Sequence, residues 1–203
     1  VTDPDRHDED VAAAVRGESA AVRAVWGRHR RWVAAILLAH KPRESELDDL
    51  LQEVAVTLVS KVHELRDEAA IRPWLRSVAL NVARAAGRRT SRERARRSRA
   101  EPPHTGTGGS GSMGDGVSPD TPVQVREEGE RLLDLARELP DGYREPLLMR
   151  CVRDMSYREI ASVLELPETT IETRIARGRR MLRERLADLD ARARRETRLE
   201  VEA

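Results

Sequence analysis

Phenylalanine is absent from the chain, tryptophan and tyrosine are scarce, and Cys151 is its one cysteine. With aromatics at 2% of residues, the bulky side chains that fill large β cores are missing, and the composition favours helices packed through Leu, Val, Ile and Ala. A lone cysteine excludes an intrachain disulfide, and no Cys/His group has metal-ligand spacing. The longest apolar run, Trp32 to Ala39, is far shorter than the ~20 residues of a bilayer-crossing helix, so no membrane insertion is expected. The acidic N-terminal stretch lacks a secretory apolar core, and the expected location is cytoplasmic. No nucleophile–base pair, phosphate-cradling glycine loop or metal cluster is recognisable, so the chain is not expected to be an enzyme, with no cofactor and no metal. Lysine is nearly missing as well: of 37 basic residues only Lys41 and Lys61 are not arginine. Basic and acidic residues balance at 37 and 36, so net charge selects no partner and the distribution of charge has to be read instead.

Taken in order, Val1 to Glu9 is expected to be disordered. Asp10 to Arg16 and Glu18 to His40 read as helices broken near Gly17, the second carrying the stripe Ala21, Val25, Trp32, Ile36, Ala39 and ending at Pro42. Ser45 to Leu65 reads as a strongly amphipathic helix with Ser45 as N-cap. Its inner face is Leu47, Leu50, Leu51, Val54, Leu58 and Val62; Glu46, Asp48 and Asp49 suit its positive end. Its outer face, Asp49, Gln52, Glu53 and Val56, is either a solvated surface or a docking face for a basic partner. After a loop at Asp67 to Ile71, Pro73 stands near the first turn of a helix running to about Arg89, with Trp74, Leu75, Val78 and Val82 inward and Arg76, Arg84, Arg88 and Arg89 outward. From Thr90 to Ala100, Arg92, Arg94, Arg96, Arg97 and Arg99 face a single Glu93; this is either a solvated charge run or a phosphate-seeking segment. Glu101 to Val123 is rich in Gly, Ser, Thr and Pro and reads as a flexible linker. The fold class is therefore all-α: two small helical domains, residues 1–95 and 125–190, joined by a flexible linker at 96–124 and followed by a charged tail at 191–203, the C-terminal domain containing a helix-turn-helix.

In that second domain, Leu132, Leu133, Leu135 and Ala136 pack one helix, Leu139-Pro140-Asp141 breaks it, and another helix runs to about Arg153. It carries Pro146 near an irregular start and Cys151 as a buried, inert thiol. Asp154 to Leu182 follows as two helices joined by a tight turn. Ser156 and Glu159 form a capping box, and Ile160, Ala161 and Leu164 make an apolar face. Pro167 stops the first helix. Thr169 and Glu172 read as a second capping box. Ile171, Ile175, Gly178 and Leu182 then face inward, while Thr169, Thr173, Ala176, Arg177 and Arg180 face outward, flanked by Glu172 and Arg174. Such a pair is either a plain helical hairpin or a groove reader; the caps, the Pro turn and the small, basic outer face point to DNA.

Two ordered stretches carry a family resemblance. Leu139-Pro140, Tyr143-Arg144-Glu145, Met155-Ser156-Tyr157-Arg158-Glu159-Ile160-Ala161, Leu166-Pro167, Thr170-Ile171, Arg174-Ile175 and Arg177-Gly178-Arg179 resemble the fourth domain of bacterial sigma factors. Asp48-Asp49-Leu50-Leu51-Gln52-Glu53-Val54 and Arg72-Pro73-Trp74-Leu75, with Val78, Ala79 and Asn81, resemble their second domain. With no third domain between them, the chain is similar to the extracytoplasmic-function (ECF) group of the sigma-70 family. The resemblance implies a dissociable transcription-initiation subunit with core RNA polymerase (largest-subunit clamp and flap), promoter DNA and an anti-sigma protein as partners. It implies polymerase binding by Asp48, Asp49, Gln52 and Glu53. It implies minus-ten recognition and melting by the segment from Glu64 to Arg89, with Asn81, Arg84, Arg88 and Arg89 near DNA. In the minus-thirty-five element it implies Thr169, Glu172, Thr173, Arg174, Arg177 and Arg180. The chain departs from the family pattern at Thr169, where glycine is usual, at Glu172, Ile71 and Ala85, and in a longer linker. A two-domain DNA-binding regulator is the competing reading; it would not bind core polymerase in the absence of DNA.

Overall fold

The fold is described from a computed structural model, over residues 4–100 and 123–201. The chain divides into two compact units, Val1–Gly116 and Val117–Ala203.

The first unit is built around its longest apolar run. Helix α2 (Ser19–His40) buries every residue from Trp32 to Ala39. A helix apolar on all sides needs neighbours on all sides, and α1 (Pro4–Val15), α3 (Leu47–Lys61) and α4 (Ile71–Ala100) each pack on α2. Within α2 the indole Nε1 of Trp32 donates to Nδ1 of buried His29 at 3.1 Å, the two rings meeting edge to face. Gly17 turns the chain from α1 into α2 at φ +89°, a conformation open to glycine at little cost.

Helix α1 corrects the expectation of disorder up to Glu9: it begins at Pro4. Val11 and Ala14 are fully buried, and Asp10 accepts a 2.8 Å hydrogen bond from Arg28 of α2 in a half-buried ion pair, so the N-terminal segment is packed down. Ser45 is not the cap of α3; Glu46 is, without a side-chain cap bond. Buried Lys41 donates from Nζ to the Ser45 carbonyl at 2.5 Å and the Ser45 amide bonds back to Pro42, so Ser45 belongs to the turn, and the first helical carbonyl is that of Glu46. Short 3-10 turns at Val62–Glu64 and Glu68–Ala70 lead into α4, the latter capped by the Asp67 carboxylate. Helix α4 continues past Arg89 to Ala100, crossing the expected linker boundary at residue 96. The Arg/Ala/Ser stretch has no proline to stop it and favourable propensity for arginine and alanine.

The second unit contains α5 (Val123–Arg137), α6 (Asp141–Arg153), α7 (Tyr157–Leu164) and α8 (Glu168–Val201). The expected linker, Glu101 to Val123, lies outside the described residues up to position 122, and Val123 already belongs to α5. At the α5–α6 turn Arg144 donates from Nε and Nη2 to the Leu139 carbonyl at 2.9 and 2.8 Å. Pro146 lies inside α6 without ending it, and Leu139, Leu147, Met149, Ile160 and Ile171 form the buried centre. Cys151 is exposed, contrary to the expected buried thiol: the buried stretch of α6 runs from Glu145 to Met149, and Cys151 and Val152 lie beyond it, open to solvent. The expected tail from residue 191 is helical to Val201 as a continuation of α8.

All three tryptophans, Trp26, Trp32 and Trp74, fall in the first unit, so their fluorescence reports that unit alone. Ile36→Ala removes a fully buried side chain and is expected to lower the stability of this unit by about 2–5 kcal/mol, read as an earlier urea midpoint in tryptophan fluorescence. Ser156→Ala is expected to weaken the second unit by about 1 kcal/mol, read by tyrosine signals, since Tyr143 and Tyr157 both lie there.

Candidate nucleic-acid interface

In the second unit the local sequence dictates the geometry of the helix pair. Ser156 caps α7: its hydroxyl accepts from the Glu159 amide at 3.2 Å, and the Glu159 carboxylate accepts from the Ser156 amide at 2.7 Å. Helix α7 ends in a left-handed residue, Glu165 at φ +54°, with the Leu166 amide closing back on the Ala161 carbonyl at 3.1 Å. That is the bond pattern of a Schellman stop, and Pro167 follows it where a helix cannot continue. The Pro167 carbonyl accepts from the Thr170 and Ile171 amides at 2.9 and 3.2 Å, so α8 starts at Glu168. Thr169 is consequently inside the first turn and not at a cap; the expected second capping box with Glu172 does not form, and Glu172 is an exposed residue of the outer face.

Helix α8 then divides as its spacing requires. Ile171, Ile175 and Gly178 are buried, and Leu182 is half-buried. Gly178 brings α8 close to α6: a Cβ there would lie 3.5 Å from the Tyr143 carbonyl oxygen and 3.6 Å from Leu147. A methyl would just fit; a branched side chain would push the two helices apart. Thr169, Thr173, Ala176, Arg177 and Arg180 are exposed on the other side. Thr173 ties its hydroxyl back to the Thr169 carbonyl at 2.9 Å, and Arg180 makes a loose 3.6 Å pair with Glu184. Arg174 differs from the rest of the expected set. It is half-buried, and its guanidinium lies against Gly142 at the start of α6, so it flanks the exposed surface instead of crowning it.

In the first unit the structure places a second candidate surface on α3. Asp48, Asp49 and Gln52 are exposed. Two valines share this side, Val56 at 60% and Val59 at 65% exposure. Val59 was missed in the sequence reading, although its position seven residues after Gln52 puts it on the same helical face. Exposed β-branched residues beside carboxylates suit a protein partner better than bulk water does.

On α4, Asn81, Arg84, Arg88 and Arg89 are all exposed, but they do not share one direction. Arg89 donates to both Glu53 oxygens, at 2.7 and 3.4 Å, which joins an expected DNA residue to an expected polymerase residue. Asp48 is likewise paired, with Arg30 at 3.2 Å. These pairs are solvent-exposed and worth roughly 0–1 kcal/mol each, so they orient side chains without locking them. Trp74, expected in the core, is half-buried at the start of α4, while Leu75 beside it is fully buried. No helix among the described residues is long and apolar enough to cross a membrane, and no group of His, Cys, Asp and Glu among them is arranged to hold a metal ion.

Both helical units have counterparts in known proteins. Residues 25–93 match the family model for Sigma-70 region 2, and residues 129–182 match that for Sigma-70, region 4; together they cover more than half of the chain. The chain is similar to the ECF RNA polymerase sigma-E factor of Haemophilus influenzae, with 26% identity over 178 residues, spanning 86% of this chain and 92% of that protein. A 77-residue stretch is 36% identical to the ECF RNA polymerase sigma factor SigW of Bacillus subtilis, covering 38% of this chain and 41% of that protein. Among solved structures, CnrH in complex with the cytosolic domain of CnrY superposes with a TM-score of 0.54 at 25% identity, over 91% of this chain and 97% of that one. Two sigma-70 regions in the same order, each on its own helical unit, and ECF relatives matched over most of their length place the chain in the sigma-70 family of RNA polymerase sigma factors, within its extracytoplasmic-function group.

Proposed function

We propose that the chain acts as an ECF sigma factor by dividing the work between three exposed surfaces. The outer face of α3 docks on the clamp of core RNA polymerase through Asp48, Asp49, Gln52 and Glu53, with Val56 and Val59 adding apolar contact. The outward side of α4 meets the minus-ten element through Asn81, Arg84 and Arg88. Arg89 joins them when polymerase engages Glu53 and frees the guanidinium. The outer side of α8 enters the major groove of the minus-thirty-five element, where Thr169, Glu172, Thr173 and Arg177 face base edges, Arg174 lies on the flank and Arg180 meets phosphate. Because polymerase is the cytoplasmic machine it serves, the factor works in the cytoplasm.

The single observation that carries this reading is the ordered match of residues 25–93 and 129–182 to the second and fourth sigma-70 regions. The exposed Val56 and Val59 support the docking role of α3 over a merely solvated face. The similar protein CnrH is known in complex with the cytosolic domain of CnrY, which supports control of this chain by an anti-sigma protein that competes for the docking surface.

Run-off transcription with core polymerase on genomic fragments tests the function as a whole: accurately started transcripts are expected only when the chain is added. Asp49→Arg combined with Glu53→Arg is expected to weaken core polymerase binding about tenfold or more, at least 1.4 kcal/mol, with tryptophan fluorescence unchanged; full affinity would remove the docking assignment. Arg180→Ala is expected to lower the salt slope of promoter binding by the holoenzyme by roughly 1, and an unaltered slope would exclude it as a phosphate contact; Arg177→Ala is expected to relax sequence preference at the minus-thirty-five element.

A further inference from the structure

The last turns of α4, residues 94–100, lie outside both matched regions. The sigma-70 region 2 match ends at residue 93, but α4 continues to Ala100. Residues 91–99 are all exposed, so packing does not explain why this segment is helical or why it is so rich in arginine.

The arginines of α4 sort into two sets by direction and by partner. Arg89 is bonded to Glu53, Arg94 to Glu44, and Arg97 to Glu93 at 3.3 Å. Arg84, Arg88, Arg92, Arg96 and Arg99 have no ion pair among the described residues. The second set recurs at spacings of four, four, four and three, so at 3.6 residues per turn it stays within about a third of the helix circumference. Asn81 and Ser77 continue the same stripe towards the helix start, and Ala95 lies within it. The stripe contains no acidic residue; Glu93 is on the far side with Arg97. The ion pairs to Glu53 and Glu44 thus turn one side of α4 towards its own unit and leave the unpaired stripe facing out.

Like charges at i, i+4 on a helix destabilise it. Arg84, Arg88, Arg92 and Arg96 make this unfavourable contact in succession. A polyanion laid along the stripe reverses the sign of the interaction. From Arg84 to Arg99 the stripe runs about 22 Å, the length of about six phosphates along one strand of duplex DNA. The small residues between the arginines let the helix approach closely.

We propose that Arg92, at the edge of the sigma-70 region 2 match, and Arg96 and Arg99 beyond it extend the DNA-binding surface of α4 and hold the sugar–phosphate backbone of the promoter duplex next to the bases read by the start of the stripe. This rests on the function proposed above. The contact is to phosphates, so it adds affinity and register and no sequence preference.

The test uses the full chain in its holoenzyme and measures promoter affinity against salt concentration. Arg92→Gln, Arg96→Gln and Arg99→Gln together are expected to lower the salt slope by roughly 2–3, equally on promoters of different sequence, with core polymerase affinity unchanged. Arg97→Gln, on the opposite side of the same segment, is expected to leave the slope as it is. An unaltered slope in the triple variant overturns the proposal, and so does an equal fall in Arg97→Gln, which would mean diffuse charge and no oriented stripe. A photo-crosslinker at position 99 is expected to capture promoter DNA; capture of transcript or polymerase alone also overturns it. If the wild-type holoenzyme binds no promoter, the proposed function falls first and this inference falls with it.

Discussion

Burial of Trp32 to Ala39 on every side of α2 is the constraint on which the first unit depends. A chain with 2% aromatics has few side chains that bury large area singly, so its core is assembled from Val, Leu, Ile and Ala on several helices at once. Helix α2 supplies the one stretch with no polar side, and α1, α3 and α4 must surround it. Each of those three spends one apolar stripe on α2 and is left with one outward face. The surfaces of α3 and α4 proposed for polymerase and DNA are those remaining faces, which is why they are separate.

The second unit solves a different problem with the same economy of aromatics. Its helix pair is set by backbone chemistry more than by bulk: a capping box at Ser156, a left-handed stop at Glu165 and a proline at 167 fix where one helix ends and the next begins. Gly178 lets α8 lie close on α6, so the short segment from Ile171 to Leu182 is held firmly by few buried residues. A groove-reading helix needs this firmness, because its outer residues can be aimed only as well as its inner ones are seated. Each of the two units carries its own core.

Much of this was legible in the chain because it is local. The inner face of α3 and the inner face of α8 follow from helical spacing, and the Ser156–Glu159 box follows from hydrogen-bonding groups three residues apart. The misreadings share a cause. Ser45 has the right chemistry for a cap, but Lys41 and Pro42 draw it into a turn. Thr169 has it too, but the Pro167 carbonyl already receives the first amides of α8. Cys151 sits in an apolar context in sequence, yet the packed part of α6 ends at Met149 and leaves it exposed. In each case a neighbour in space, or a competing backbone group, decided between options that local propensity left equal.

By itself the amino-acid sequence determined that the chain is helical, that it holds two modules, where most helices run, and which family it belongs to, since periodicity, proline and capping groups act over a few residues. Only the tertiary structure decided which charges are spent within the fold and which face outward. The bonding of Arg89 to Glu53 and of Arg94 to Glu44 joins residues far apart in the chain; helical spacing sets them off from Arg88 and Arg92 but does not say what they meet. The physical reason is that the pairing of a long, flexible arginine is settled by what lies within a few ångströms of its head, and that is set by how helices pack.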